Sequence, residues 1–322
     1  MHLFSVLVAV FLVAASVTHA KEERLSVIEV SPIPQGRLDE FEKLAESHPI
    51  DFLGRPSEDA EFQIMLPENE LENFAKVLKS RFSMTFKVIT AKVQQDLEKE
   101  AAKETAARRF AKLFRSSRSS APTTYYPDLD EIHRWMDEQA ASHAHVTVES
   151  IGKSHENREM KLLKINSGKG LPILFIESGI HAREWLSPAT VMQLLQKIIR
   201  GEKSDLFSKY ELQSLLVTNP DGYAYTHAYK TSMQGRFWRQ NRRPSNSYCV
   251  GVDLNRNFDI DFGMRGVSQM CNSQIYPGPR AFSEPETQNL RTYVQSIAKT
   301  VKFYMSVHTF GQMVIVPYTY TD

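Results

Sequence analysis

The chain has 322 residues, of which 42% are hydrophobic and 24% charged, and its formal net charge is +1. These are ordinary globular proportions, and the length suits one large domain and one small one. No surplus of basic groups exists to hold phosphates, which excludes nucleic acid and anionic membrane as partners.

Residues 1–20 form an apolar run ending in Ser16-Val17-Thr18-His19-Ala20, and charge resumes at Lys21. That pattern is a secretory signal cleaved after Ala20, although its first residues carry no Lys or Arg. Its apolar core is shorter than the roughly 20 residues a membrane span needs. A secreted, extracellular monomer with no membrane partner is expected. Residues 21–92 read as a small α/β domain: strands at 25–30, 62–66 and 84–89, a helix carrying Leu38, Phe41, Leu44 and Ala45, and a second opened by Pro67. Such a sheet is expected to carry its helices on one face.

Residues 93–122 read as a connecting helix and a linker. The helix is expected over 94–114, rich in Ala, Glu, Lys and Arg; the linker is Arg115-Ser-Ser-Arg118-Ser-Ser-Ala-Pro122, which has little to bury. Arg108, Arg109, Arg115 and Arg118 offer basic cleavage points, so an activation segment is expected; a solvated charged helix plus linker is the plainer alternative.

Residues 123–322 read as the second domain. A helix carries Leu129, Ile132, His133, Trp135 and Met136, and strands follow at 146–151, 158–165 and 171–176. A helix over 191–200 places Val191, Leu194, Leu195, Ile198 and Ile199 at helical spacing, with Ser187 as N-cap and Pro188 in its first position. Then come a strand at 212–218, a turn at Asn219-Pro-Asp-Gly, a helix at 284–298, a strand at 301–308 and a last strand at 313–316.

Two places carry chemistry. Residues 177–189 follow a continuous apolar strand and precede a helix, and ligands in open α/β sheets bind beyond the carboxyl ends of strands. His181 and Glu184 stand three residues apart there, with Arg183 between them and His308 at the end of another strand. Two imidazoles and one carboxylate hold zinc with a fourth position open, as in hydrolytic sites; a satisfied strand-end histidine is the plainer reading of His308 alone. The second place is Phe237-Trp-Arg239-Gln-Asn-Arg-Arg243 with Gly251-Val-Asp-Leu-Asn255-Arg256-Asn-Phe258. An arginine fork and a neighbouring Asn suit a carboxylate, whereas surface ion pairs and a simple turn are the alternatives. Cys249 and Cys271, the two cysteines of an exported chain, are expected to be bonded, worth about 3 kcal/mol in the chain-entropy model.

These segments, with Tyr-Pro-Gly-Pro-Arg-Ala-Phe-Ser-Glu-Pro-Glu286 and Ser-Val-His308, resemble the secreted zinc metallocarboxypeptidases of pancreatic type, which are made as procarboxypeptidases. The resemblance implies a mixed-sheet α/β catalytic domain, incomplete here, preceded by a ferredoxin-like α/β activation domain that caps the cleft until a trypsin-like protease cuts. It implies one Zn2+ held by His181, Glu184 and His308, and Arg239 as the oxyanion stabiliser. Asn255 and Arg256 become the clamp on the terminal carboxylate of a peptide or protein substrate, Arg183 a supporting contact, and Cys249–Cys271 the family disulfide. Phe310 departs from the usual Tyr of a substrate subsite. The chain stops roughly 100 residues before a typical catalytic domain would end, so the family's general-base Glu, its mobile Tyr and the residue that sets side-chain preference are expected beyond Asp322. A non-catalytic zinc- and C-terminus-binding protein and a non-folding fragment are the competing readings.

Overall fold

The structure is a computed structural model that describes residues 25–53, 56–114, 121–202, 205, 208–245, 248–309 and 313–316. The segment 1–20, Arg115, Arg118 and Phe310 lie outside these residues.

Strands β1 (Leu25–Val30), β2 (Asp51–Phe52), β3 (Phe62–Pro67) and β4 (Phe86–Thr90) form an antiparallel sheet in the order β2-β3-β1-β4. Helices α1 (Leu38–Glu46) and α2 (Leu71–Phe82) pack on one face. There the buried Phe41 ring meets Phe62 and Phe82 edge-on at 5.6 and 5.4 Å, the geometry the aromatic quadrupole prefers. Pro67 does not open α2. It ends β3 opposite Leu25, where a missing N–H does little harm, and a 3-10 turn at Glu68–Glu70 leads into the helix. The other face is covered too, contrary to the one-sided packing expected. Val27 and Met65 bury against Val93 and Leu97 of α3 (Val93–Phe114) and against Met233.

Helix α3 runs along the second unit. Arg108 on it is locked rather than offered for cleavage: its guanidinium bonds Glu104 at 3.1 Å, Asp128 at 3.0 Å, Glu131 at 2.5 Å and the Tyr126 carbonyl at 3.0 Å. Four acceptors around one fork explain why this Arg does not act as a solvated helix charge. Arg109 is exposed but helical.

Strands β5 (Val146–Lys153), β6 (Glu159–Ile165), β7 (Ile173–Ser178), β8 (Glu211–Leu215) and β9 (Val301–Val307) build the second sheet in the order β5-β6-β8-β7-β9. β5, β6 and β8 run antiparallel, while β8, β7 and β9 run parallel, giving the expected mixed sheet. Its first face buries Trp135 of α4 (Leu129–Ser142), Leu195 of α5 (Leu186–Ile199) and Tyr223 of α6 (Pro220–Ala228). The second buries Leu290 of α8 (Pro285–Ile297) against Leu162 and Phe175. Between α6 and α8 lies the short helix α7 (Met233–Arg236). A reciprocal capping box of Asp128 and Glu131 starts α4.

Four local expectations change. α5 begins at Leu186 after Trp185 with no side-chain cap, because the Ser187 hydroxyl is used elsewhere: it accepts from the Gly179 amide at 3.2 Å and donates to the Val307 carbonyl. Leu194 on that helix is exposed. Asn219 does not close a turn but caps α6, accepting from the Gly222 amide at 2.9 Å with Pro220 in the first turn. Residues 313–316 are exposed and form no strand.

His133 on α4 yields a pH prediction. Burial first, and then the charge of Lys161, lowers its imidazole from 6.5 to about 4. Between those values the unfolded chain binds a proton that the folded chain refuses, so stability is lost as pH falls across that window. Thermal melts from pH 7 to 4 are expected to show a steeper decline for the native protein than for His133→Gln; parallel curves would contradict the assignment.

Candidate metal centre

Because β7 and β9 are parallel neighbours, their carboxyl ends open on one edge of the sheet. His308 follows β9 directly, and His181 stands three residues beyond β7. The chain leaves β7 through Gly179 at φ 63°, where an added Cβ would lie 3.2 Å from the Leu216 carbonyl oxygen. The next residues fold into a single turn that brings Glu184 back onto His181.

The three side chains converge as the spacing predicts. His181 Nδ1 lies 2.7 Å from Glu184 Oε1 and 3.2 Å from His308 Nδ1, and His308 Nδ1 is 3.2 Å from Glu184 Oε2. A tetrahedron with zinc–nitrogen bonds of 2.0–2.1 Å has edges of about 3.3 Å, which the two 3.2 Å separations match, while the 2.7 Å separation is that of a hydrogen bond. The outer nitrogens agree. His181 Nε2, otherwise without a hydrogen-bond partner, faces the buried Asp253 Oδ1 at 3.3 Å, and His308 Nε2 lies 3.0 Å from Ser306 Oγ. Acceptors there hold the proton on Nε2 and leave both Nδ1 atoms for metal. Burial opposes ionisation of Glu184, yet hydrogen bonds with His181 and His308 hold its carboxyl well below the usual range. The donor set fits zinc.

Asp253 joins this triad to the second cluster. Its Oδ2 accepts from Arg239 Nε at 3.0 Å and is ion-paired with Nη2 at 3.0 Å, and its Oδ1 also accepts the Asn255 amide at 3.0 Å. Burial alone would raise its pKa; Arg239, then His181, hold the carboxyl far below its ordinary value. Arg239 is thereby fixed beside the triad, with its Nη1 making no hydrogen bond among the described residues. Asn255 and Arg256 lie on the 3-10 turn Leu254–Arg256 that Asp253 caps. They line a cavity of about 430 Å³ with Phe258, Phe262 and Val267, where Arg256 donates to the Gly266 and Asn255 carbonyls at 2.8 and 3.2 Å. Cys249 and Cys271 are bonded and brace this segment.

Arg183 is already engaged. Its fork holds Asp51 of β2, with Nη2 at 3.1 Å from Oδ1 and Nη1 against Oδ2, and also reaches Gln274 at 3.0 Å. Sequence reasoning missed Asp51, which sits on a strand of two residues that leaves no periodic signal. It also gave no role to Asp253, although a buried-looking Asp between Val252 and Leu254 is where a metal-bound histidine's outer acceptor would be sought.

A family model described as zinc carboxypeptidase matches residues 132–322. Zinc carboxypeptidase A 1 of Anopheles gambiae is 34% identical over 266 residues, covering 81% of this chain and 58% of that protein. Carboxypeptidase B of Astacus astacus is 37% identical over 205 residues, 62% of this chain and 66% of that protein. Among solved structures, carboxypeptidase A from Helicoverpa armigera superposes with a TM-score of 0.82 at 28% identity, over 92% of this chain and 72% of that one. Thrombin activatable fibrinolysis inhibitor superposes at 0.73 with 26% identity, over 93% of this chain and 75% of that one. The mixed-sheet fold, the triad and these matches define a zinc-peptidase architecture. The chain belongs to the zinc carboxypeptidase family, whose metal is a single Zn2+, and spans about 58–66% of the length of the two curated relatives described.

Zinc binding is expected to need all three side chains. Metal analysis should find one zinc per native chain and none retained by His308→Ala after dialysis. Stoichiometric zinc in that variant would remove His308 from the site.

Proposed function

We propose that this protein is of the secreted zinc-carboxypeptidase proenzyme type, which once activated removes single amino acids from the C-termini of peptides and proteins; no glutamate present here matches the family's general base, so this chain by itself is expected to hydrolyse peptides weakly or not at all. The observation that carries this reading is Asp253, which joins His181 of the metal triad, Arg239 and the Asn255–Arg256 turn on one carboxylate. Residues 21–92 form the activation domain, with a ferredoxin-like sheet. Residues 93–122 form the connecting helix and cleavable linker, and residues 123–322 belong to the catalytic domain. The Cys249–Cys271 bond fits export to an oxidising compartment.

Bound zinc supplies a Lewis acid and a water whose pKa falls toward about 7. This chain's residues do the rest of the recognition. Asn255 and Arg256 receive the free carboxylate, and their polar groups would be left unpaired by an internal or amidated peptide, which is how such a site refuses it. Arg239, fixed by Asp253, donates toward the oxygen on which negative charge grows, an interaction whose loss typically lowers kcat about 10²–10³-fold.

The Asp51–Arg183 pair supports the proenzyme reading. A carboxylate on the edge of the small sheet occupies the arginine assigned as a substrate contact. Covering that arginine excludes substrate until the small unit leaves. A monomer is consistent with this arrangement, since one chain supplies both the inhibitory carboxylate and its target.

Limited trypsin is expected to spare the Arg108–Arg109 bond of the folded protein and to cut first at Arg115 or Arg118. N-terminal sequencing of the fragments checks this, and a first fragment beginning at Arg109 would show that α3 is not held as described.

Protein that also carries the family's general-base Glu, loaded with zinc and treated with trypsin, is expected to release the last residue of a peptide with a free C-terminus and to ignore its C-terminal amide, whereas the 322-residue chain is expected to show little or no turnover. Arg256→Ala should raise KM with less effect on kcat, while Arg239→Ala should lower kcat. Equal hydrolysis of the acid and the amide would overturn the exopeptidase reading.

A further inference from the structure

Two motifs remain without a role, Asn219-Pro-Asp221-Gly and Ser283-Glu284-Pro-Glu286, and the structure brings both to the segment that carries Arg239. The Asn219 side chain donates to the Gln240 carbonyl at 3.0 Å and to the Ile180 carbonyl at 3.2 Å. The Arg239 carbonyl accepts from the Ala182 amide at 2.9 Å. Gly222 permits this approach, since a Cβ there would lie 2.4 Å from the Gln240 oxygen.

Asn241 is the centre of the arrangement. Its backbone N–H donates to the Val252 carbonyl at 3.1 Å and its Oδ1 accepts from the Val252 amide at 2.9 Å, so one residue grips both polar groups of its neighbour. That orientation points the amide Nδ2 at two carboxyls, Glu284 Oε2 at 2.7 Å and Glu286 Oε2 at 3.2 Å. All three side chains are fully buried. Glu284 is also held by Ser283 Oγ at 2.7 Å and Arg243 at 3.1 Å, and Glu286 by the His155 amide at 3.0 Å. A donor-rich amide between two buried acceptors has a single way to satisfy all of them, and buried polar networks of this kind fix one geometry. Val252 is followed directly by Asp253, whose carboxylate holds both His181 and Arg239.

We infer that Asn241, clamped by Glu284 and Glu286, is the positioning residue that sets Asp253 and thereby the orientation of His181 and Arg239. This rests on the reading of His181, Glu184 and His308 as zinc ligands. Glu286 suits the role of a partner that needs no cation: burial, against the hydrogen bonds from His155 and Asn241, pushes its carboxyl up to about 7.

The test is zinc affinity of the full-length protein, measured by competition with a chromophoric chelator. Asn241→Asp keeps the shape and the acceptor for Val252 but loses both donors, and it is expected to weaken zinc about 10–100-fold, the range for groups behind a ligand. Glu286→Gln alone sets an amide against an amide and is expected to weaken zinc as well. Combining the two restores one donor–acceptor pair across the same contact with reversed polarity, and affinity is expected to recover by about tenfold or more over Asn241→Asp. Unchanged affinity in both single variants, or no recovery in a folded double variant, would overturn the inference. If the single variants do not fold, a folded double variant with near-native affinity supports it. Absence of zinc binding by the native protein would instead overturn the metal-site reading beneath it.

Discussion

The carboxylate of Asp253 is the interaction on which the rest of the centre depends. It is fully buried, and an unpaired charge in such a place would be costly. It is stable there because Arg239 and His181 approach from different sides. The same pairing that makes the buried charge tolerable also fixes the outer nitrogen of one metal ligand and the plane of one guanidinium. Placing a cation binder and an anion stabiliser on a common carboxylate keeps their separation constant when the surrounding loops move.

Much of this was legible in the sequence, and the rest was not for identifiable reasons. The long elements announced themselves: α4 through helical spacing, α3 and α8 through helix-forming composition, and β7 and β9 through short apolar runs. His181 and Glu184 were readable because a single turn fixes their separation, and His308 because it ends a strand. Hydrogen bonds formed across the sequence were not readable. Ser187 looks like a cap, but the tertiary partners Gly179 and Val307 take its hydroxyl. Asn219 looks like a turn former, yet the same Asx chemistry starts a helix. Arg108 looked like a cleavage site because nothing local shows that Asp128 and Glu131 lie beside it.

The two sheets use their surfaces differently. The larger one is covered by helices on both faces, as a sheet with parallel strands requires. The smaller one has α1 and α2 on one face and shares the other between α3 and Met233 of the larger unit. The contact between the units is therefore part apolar and part ionic, with Glu104 paired to Lys230 at 3.0 Å and Asp51 to Arg183. The charged part weakens with salt where it meets solvent, while the apolar part does not.

Among the described residues β9 is an edge strand of its sheet, paired to β7 alone. His308 at its end meets His181 at a sequence separation of 127 residues. An ion shared by these two imidazoles is thus a cross-link as well as a cofactor, closing a long loop whose entropy the unfolded chain would otherwise keep. It fastens an edge strand of the described sheet to an inner one. Metal affinity and the docking of that edge strand are consequently one equilibrium, and either reports on the other.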